Sequence, residues 1–512
     1  MSIARRILHN TFIQFAGKIV TAVLSVFVLK MISGYLGTAG YGDYTTAYQY
    51  LAFFGIAADF GIFTITVKEM SKDAERIPVI LGNVLGLRTA LALITMGLAA
   101  IVVFFIPAYS NTVIPIGVLI ATLATVFTLL NGTVSSVLQV HLKMQYSTIG
   151  LIVGKIVSVG YIAVVVYYLY TGNTTKGFEH LMWSGVAGNF VMMAITAYYT
   201  QRYAKISYRF DFGYWKKIFI TSLPYGVALV LNNIYFRLDI VLLSIILPHT
   251  QTLADGTIKC NAAMCGDTES GLYGVGMRFL EMMTIIPIYY MNSVLPVMTR
   301  FMEEKNEKIK KVIQYSFDFL AAIAMPIMVG GYILAVPIIR LISDNDFVSG
   351  SLHPYGSDIA VKLLMFAMFF SFLNSLFGFT LVVLNKQSKL MFINAACVVF
   401  NLVGNLILIP YWGFRAAGLT SILCELFILI STFLSVRNVL HINLDFTTVS
   451  KIALSSAVMG LFVTFGFHWL TNLWFLYQLA ILVPMGALVY LGMMLWTRAV
   501  NDEMREILRK KS

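Results

Sequence analysis

The chain has 512 residues, of which 59% are hydrophobic and only 12% are charged, and its mean hydropathy is +0.81. The charged share is about half that of an ordinary soluble protein, which excludes a string of soluble domains. A helix needs about 20 apolar residues to cross a bilayer, and stretches of that length recur throughout the sequence. We therefore predict an all-α integral membrane protein. No cleavable signal is expected, because the apolar run after MSIARRILHN is too long for one.

About fourteen transmembrane helices are predicted from the apolar stretches and the loops between them. In chain order they cover residues 11–32, 44–66, 79–106, 113–140, 147–170, 180–200, 218–247, 271–295, 315–341, 359–384, 390–410, 416–436, 449–470 and 474–497. The even number places both termini on the same side of the membrane.

The distribution of Lys and Arg predicts the orientation of these helices. With the N-terminus in the cytoplasm, inward segments carry 25 of the 36 basic residues and outward segments carry 3. We therefore expect a multi-pass protein of the cytoplasmic membrane with both termini cytoplasmic. This bias also accounts for the net charge of +12 without a nucleic-acid partner.

The longest inward linker divides the sequence into two candidate lobes. The predicted parts are an N-terminal six-helix lobe, a cytoplasmic linker, a C-terminal six-helix lobe and two additional helices with a basic tail, at 1–200, 201–217, 218–440 and 441–512. A weak repeat, GDY at 42–44 and GLY at 271–273, follows the outward loop after the first helix of each lobe. We expect the lobes to be related by a pseudo-two-fold axis along the membrane normal.

The four cysteines fall into two groups. Cys397 and Cys424 lie in predicted helices, where cysteine usually acts as a small apolar residue. Cys260 and Cys265 lie in the longest outward loop, and the outside is usually oxidising, so we predict a disulfide between them. Two free thiols are the alternative. Zinc is not expected, because the loop offers no second pair of ligands.

Basic residues inside predicted helices are candidates for substrate binding, since a charge at mid-bilayer is costly. In helix 1, Gln14, Lys18, Thr21 and Ser25 share one face. The predicted substrate-binding residues are Lys18, Arg88, Lys155, Arg237, Gln14, Asn233 and Arg278. This cationic surplus suits an anionic cargo, because Arg and Lys bind phosphate oxygens.

Acidic residues inside the helices have two interpretations. Asp59, Asp239 and Glu281 are candidates for ion coupling, or they are structural partners of nearby basic residues. Arg278 and Glu281 are three residues apart and can pair on one helix. The stripe of Asn394, Asn401 and Asn405 favours interhelical hydrogen bonds over contact with sugar.

Four segments resemble the polysaccharide and oligosaccharide (O-antigen-type) flippases of the multidrug/oligosaccharidyl-lipid/polysaccharide exporter superfamily. Residues 33–62 resemble that family's L-G-P-x-x-Y-G turn and following D-x-G, and residues 236–246 and 269–283 resemble its seventh and eighth helices. Residues 401–430, NLVGNLILIPYWGFRAAGLTSILCELFILI, resemble its N-x-x-L-N-x-x-L-I-P block.

The resemblance implies a flippase that moves a lipid-linked, polyprenyl-pyrophosphate oligosaccharide to the outer leaflet by alternating access around a cationic cavity. It implies membrane lipids as partners, with glycan polymerase or glycosyltransferase complexes as further ones, and a monomer. No cofactor or metal is expected. The chain is not expected to be an enzyme, and it lacks the G-x-x-x-x-G-K-[ST] loop of ATPases.

Three alternatives remain open at this point. A lipid II flippase has the same helix number and a cationic cavity, and a multidrug exporter of the same superfamily would favour acidic cavity residues. A membrane glycosyltransferase would use Asp344 and Asp346 as metal ligands, although a solvated loop is the simpler interpretation of that pair.

Overall fold

The computed structural model of the protein describes residues 3–59, 61–73, 75–252, 258–259, 264–304, 306–350, 352–471 and 473–499. Of residues 3–12, 15, 224–225, 227–236, 251–252 and 258–259 it describes the main chain alone.

The described chain is almost entirely helical. Its helices are α1 Ile3–Asp59, α2 Ile62–Lys72, α3 Ile77–Val102, α4 Ile114–Val140, α5 Met144–Val164, α6 Thr174–Thr200, α7 Phe212–Ile246, α8 Gly266–Met283, α9 Ile285–Glu303, α10 Lys308–Ile333, α11 Ala335–Ile342, α12 Ser357–Val383, α13 Gln387–Trp412, α14 Phe414–Leu440, α15 Thr447–Trp469 and α16 Phe475–Trp496. Two short strands, β1 Gln251–Thr252 and β2 Ile258–Lys259, form an antiparallel hairpin with Gln251 opposite Lys259.

The all-helical membrane fold predicted from the sequence is confirmed. Every predicted span falls on one or two of these helices. Within the described residues, twelve helical stretches are long and apolar enough to cross a membrane, and the run from Ala16 to Lys72 counts as one of them. The run from Ala16 to Lys72 contains two predicted spans. α7 is not among the twelve stretches and contains one further predicted span.

A break at Gly37 explains how α1 can hold two spans. A straight helix of 57 residues would be about 85 Å long, nearly three times the thickness of the hydrocarbon core. Gly37 has φ 67° and ψ −172°, a conformation outside the helical region that is open essentially to glycine alone. The backbone therefore turns at Gly37, between the first and second predicted spans.

We expect Gly37→Ala to lower the free energy of unfolding by about 1–3 kcal/mol, because alanine is strained at this φ and ψ. No atom lies within 4 Å of the position of the added Cβ, so crowding does not contribute. Thermal unfolding of the purified protein measures the effect. Gly97→Ala in α3 is the matched control, because its Cβ also meets nothing within 4 Å but its backbone is helical. Equal midpoints for the two variants would show that the turn does not need glycine.

The first compact unit, Met1–Gly271, is held together by α4, α5 and α6 with α1 packed against them. At the centre of the contact between α5 and α6, a Cβ on Gly154 would lie 2.5 Å from the Gly188 carbonyl oxygen. Small residues let membrane helices approach closely, which is the main source of their packing energy. A buried cluster that includes Tyr109, Phe178 and Met182 fills the space beside α4.

The division between the units differs from the predicted linker boundary. α7 contacts α1, α2 and α3 and belongs to the first unit, which ends at Gly271. The sequence placed α7 in the second lobe because the linker 201–217 is the longest inward segment. The grouping into two six-helix lobes with a pseudo-two-fold axis stays a prediction.

The second compact unit, Leu272–Ser512, is centred on α12, which packs against α10 and α14. α13 packs against α14. The two additional C-terminal helices, α15 and α16, pack against each other, and α15 also lies along α10. The Tyr490 hydroxyl of α16 donates a 2.7 Å hydrogen bond to the Ala322 carbonyl of α10, so both extra helices are part of this unit.

The two glycines of the weak sequence repeat meet inside the first unit. A Cβ on Gly42 would lie 2.9 Å from the Gly271 nitrogen and would overlap the Asp267 carbonyl group. A Cβ on Gly271 would lie 3.0 Å from the Gly42 nitrogen and would overlap the Thr38 carbonyl oxygen. The backbones of α1 and of the first turns of α8 therefore touch here, and neither position has room for a side chain.

We expect Gly271→Ala to lower the free energy of unfolding by about 1–3 kcal/mol, because the new methyl group meets backbone atoms that cannot rotate away. The thermal unfolding midpoint should fall accordingly. Gly160→Ala in α5 serves as the control, because nothing lies within 4 Å of its added Cβ. An unchanged midpoint for Gly271→Ala would contradict the close approach of the two backbones.

Candidate functional site

The polar face of α1 contains Lys18, whose side chain is exposed. Two hydroxyls farther along this face donate hydrogen bonds to main-chain carbonyls of the same helix. Thr21 donates a 3.0 Å bond to the Lys18 carbonyl, and Ser25 donates a 2.8 Å bond to the Thr21 carbonyl. Gln14, one turn before Lys18, is half-buried. The polar stripe predicted from the spacing is therefore present on α1, and Lys18, its cationic residue, is exposed.

Lys155 lies on the face of α5 that contacts α1. Gly17 of α1 rests on this face, and a Cβ on it would overlap the Thr148 methyl group and lie 3.9 Å from Ile152. Thr148, Ile152 and Lys155 follow each other at helical spacing on one side of α5. Lys155 stands about 10 Å farther along α5 than Thr148 and is half-buried. Lys18 and Lys155 thus belong to two helices in direct contact within one unit.

Arg88 has a different environment, because it forms an ion pair with Asp59. Its Nη1 also donates a 3.2 Å hydrogen bond to the Thr133 hydroxyl of α4. The Arg88 side chain is 3% exposed, whereas the Asp59 side chain is 34% exposed. The pair joins α3 to the end of α1. The sequence left Asp59 as a coupling residue or as the structural partner of a nearby basic residue, and Arg88 is the basic residue with which it pairs. Substrate contact by Arg88 stays a prediction.

Arg237 of α7 reaches a neutral acceptor. Its Nη1 donates a 2.7 Å hydrogen bond to Oε1 of Gln49, which is buried in the second half of α1. Asp239, two residues farther along α7, is fully buried. The side chain of Asn233 lies outside the described residues, so its predicted role with Arg237 stays a prediction.

Arg278 and Glu281 pair on α8, as their spacing predicted. Arg278 Nη1 lies 2.9 Å from Glu281 Oε2, and both side chains are more than one third exposed. The structural interpretation of this pair is confirmed. An additional role of either residue in substrate binding or ion coupling stays a prediction.

The asparagine stripe of α13 forms an interhelical bond, as predicted. Asn405 accepts a 2.8 Å hydrogen bond from the Thr420 hydroxyl of α14 and donates a 3.1 Å bond to Asn401. The sequence did not identify Asn374 of α12, which donates a 2.9 Å bond to the Glu425 carbonyl and also bonds to the Glu425 carboxylate. Glu425 is buried. Its amide partner lies 51 residues away, and no sequence spacing could have indicated it.

The predicted outward loop contains one described cysteine. Cys265 is buried and disulfide-bonded. Cys260 lies outside the described residues, so its pairing with Cys265 stays a prediction. Cys397 and Cys424 are buried thiols of α13 and α14, as expected for small apolar residues.

Asp344 and Asp346 lie in a short loop after α11. Asp344 accepts a 2.7 Å hydrogen bond from the Asn345 amide and so begins a short helical turn. In the described part of the chain, no three acidic, histidine or cysteine residues are placed to hold a metal ion.

Two family models match the sequence. The model described as "Polysaccharide biosynthesis protein" matches residues 7–302, and the MatE model matches residues 250–407. A search among curated proteins gives no match.

Several solved transporter structures resemble the chain. The inward closed lipid II flippase MurJ is 16% identical, with a TM-score of 0.68 over 96% of this chain and 99% of that one. An inward-facing multidrug transporter of the MATE family is 13% identical, with a TM-score of 0.64 over 82% and 94%. A MOP superfamily transporter from Pyrococcus furiosus is 12% identical, with a TM-score of 0.52 over 86% and 94%.

The family match covers more than half of the chain, and the structural matches span most of it. The matched families and structures are transporters and flippases, which agrees with the prediction that the chain is not an enzyme. The chain belongs to the polysaccharide biosynthesis protein family, and its fold is that of the MOP transporter superfamily.

Proposed function

We propose that the protein is a flippase that moves a lipid-linked oligosaccharide, carried on a polyprenyl pyrophosphate, from the cytoplasmic to the outer leaflet. The observation that carries this proposal is the placement of Lys18 and Lys155 on α1 and α5, two helices of one unit in direct contact. Both cations lie within candidate membrane spans, and Lys18 lies one turn from the Thr21 hydroxyl on α1. Such a surface suits a phosphate-bearing cargo.

The roles of the basic residues follow from the environments of their side chains. Lys18 is exposed and Lys155 is half-buried, so their ammonium groups provide mobile positive charge for the pyrophosphate. Arg88 holds α3 to the end of α1 through its ion pair with Asp59. Alternating access then presents the site to one leaflet at a time. An inside-negative membrane potential favours outward movement of the anion, by about 2.3 kcal/mol per charge per 100 mV.

Translocation by the purified full chain in vesicles tests the proposal. A fluorescent polyprenyl-pyrophosphate oligosaccharide is placed in one leaflet, and its arrival in the other is followed by the loss of fluorescence to a membrane-impermeant quencher. We expect protein-dependent movement of this lipid. The proposal is wrong if the reconstituted protein moves no lipid-linked oligosaccharide while it exports a cationic drug.

A lipid II flippase is the second candidate, and the fold similarity to MurJ favours it. Lipid II carries the same pyrophosphate, so Lys18 and Lys155 suit it equally well. The two candidate functions therefore differ in the sugar that is carried. Complementation of cells depleted of their own lipid II flippase is the discriminating test. Growth would favour lipid II, and loss of a surface glycan after deletion of the gene would favour the oligosaccharide.

A further inference from the structure

The segment between α6 and α7 is fixed to α3. The Arg209 amide donates a 3.1 Å hydrogen bond to the Gly82 carbonyl, and the Asp211 amide donates a 3.0 Å bond to Asn83 Oδ1. A Cβ on Gly82 would lie 2.5 Å from the Ser207 carbonyl oxygen, and one on Gly86 would lie 2.5 Å from that of Arg209. Two glycines in α3 thus let the linker backbone lie directly on the helix.

These contacts place the linker beside the membrane rather than free in solution. Gly82 and Gly86 lie about 8 and 14 Å from the first residue of α3, a helix about 39 Å long. The Thr89 hydroxyl, about 4 Å farther along, lies 3.4 Å from the Tyr208 hydroxyl. The linker therefore lies against the N-terminal half of α3, a helix long and apolar enough to cross the membrane.

The linker combines exposed aromatic rings with exposed cations. Tyr208, Phe210 and Phe212 are 51%, 65% and 73% exposed. We call this surface the linker face and define it by Tyr208, Phe210, Phe212, Lys205, Arg209 and Lys216, all of them exposed. Aromatic rings at the membrane–water boundary and basic residues beside it are the two features that attract proteins to anionic lipid surfaces.

The acidic groups around the linker face leave it positively charged. Asp211 accepts hydrogen bonds from the amides of Gly213 and Tyr214 at 3.0 and 3.1 Å, and so caps the start of α7. Glu69 pairs with Lys72 at 2.6 Å and also lies near Lys217, which is why Lys217 is left out of the face.

We propose that the linker face binds the headgroups of anionic phospholipids, with its aromatic rings inserted between them. In the predicted orientation these lipids belong to the inner leaflet. The position of the linker beside a membrane span favours lipid over a protein partner, because exposed aromatic rings together with cations are the features that anionic lipid surfaces attract. Each cation near the surface contributes about a fivefold gain in affinity, so three contribute about a hundredfold.

Hydrogen exchange of the full chain in nanodiscs tests this proposal. One nanodisc contains phosphatidylcholine alone, and the other contains equal amounts of phosphatidylcholine and phosphatidylglycerol. We expect amide exchange over residues 205–208 to be about tenfold slower in the anionic nanodisc. The triple variant Lys205→Gln, Arg209→Gln, Lys216→Gln should lose this difference between the lipids. The triple variant Tyr208→Ser, Phe210→Ser, Phe212→Ser should exchange faster in both.

A matched control removes three exposed cations elsewhere on the inward side through Lys143→Gln, Lys386→Gln and Lys389→Gln. This variant should keep the full difference between the two nanodiscs. Equal exchange of the wild-type linker in both nanodiscs would overturn the proposal and leave the linker face to a protein partner. A charge variant that still responds to phosphatidylglycerol would overturn it as well.

Discussion

The double variant Lys18→Gln, Lys155→Gln is expected to translocate lipid-linked oligosaccharide about a hundredfold more slowly than the wild type, or worse. Hydrogen bonds to a charged group are worth about 1.5–3 kcal/mol each, and the variant removes two cations from the proposed phosphate contacts. The initial rate of the vesicle assay measures the loss. Glutamine keeps a polar side chain at both positions, so the helices should still insert and pack.

The control for this experiment also removes two lysines, through Lys143→Gln and Lys389→Gln. Both are exposed, Lys143 just before α5 and Lys389 in the first turn of α13, and neither is among the proposed phosphate contacts. Its translocation rate should match the wild type. Lys18→Arg should retain most of the activity, because arginine keeps the charge and binds phosphate oxygens. A double variant that flips lipid at the wild-type rate, with wild-type expression, would refute the assignment of the two lysines.

The spans and their order could be predicted from the sequence because burial in lipid leaves a strong local signal. An apolar run of sufficient length must be helical, since no other conformation satisfies its backbone in the bilayer. The break between residues 32 and 44 was predicted, but the backbone conformation of Gly37 was not, because hydropathy does not report φ. The sequence grouped α7 with the second lobe because the loop before it is long, and loop length does not report that α7 packs on α1.

The candidate site was only partly accessible to sequence reasoning. Periodicity identified the stripe on α1 and the Arg278–Glu281 pair, because both lie within one helix. The partners of Arg88 and Arg237 lie 29 and 188 residues away, on other helices. A charge inside a helix therefore indicates an unusual environment, but it does not reveal whether the environment is a substrate or a buried partner. Arg88 and Lys18 look alike in the sequence and differ sharply in exposure.

The Arg88–Asp59 pair leads to the second prediction, which concerns stability. We expect Asp59→Asn to lower the free energy of unfolding by about 3–5 kcal/mol, because it leaves a 3% exposed guanidinium without its counter-charge. Arg88→Met should cost less, about 1–3 kcal/mol, because the Asp59 side chain is 34% exposed and can be solvated. Thermal unfolding of the purified variants measures both values.

The double variant Asp59→Asn, Arg88→Met separates a structural role from a role in binding. Removing both charges of a buried pair is often close to neutral, so the unfolding midpoint should return most of the way to the wild type. If the pair is structural, translocation should recover together with the midpoint. A double variant that regains its stability but stays inactive would instead place Arg88 or Asp59 in contact with the cargo or its coupling ion. The single variants Asp59→Asn and Arg88→Met each break the same ion pair, so their effects on stability should be strongly non-additive. Simple additivity in the double variant would contradict the pairing itself.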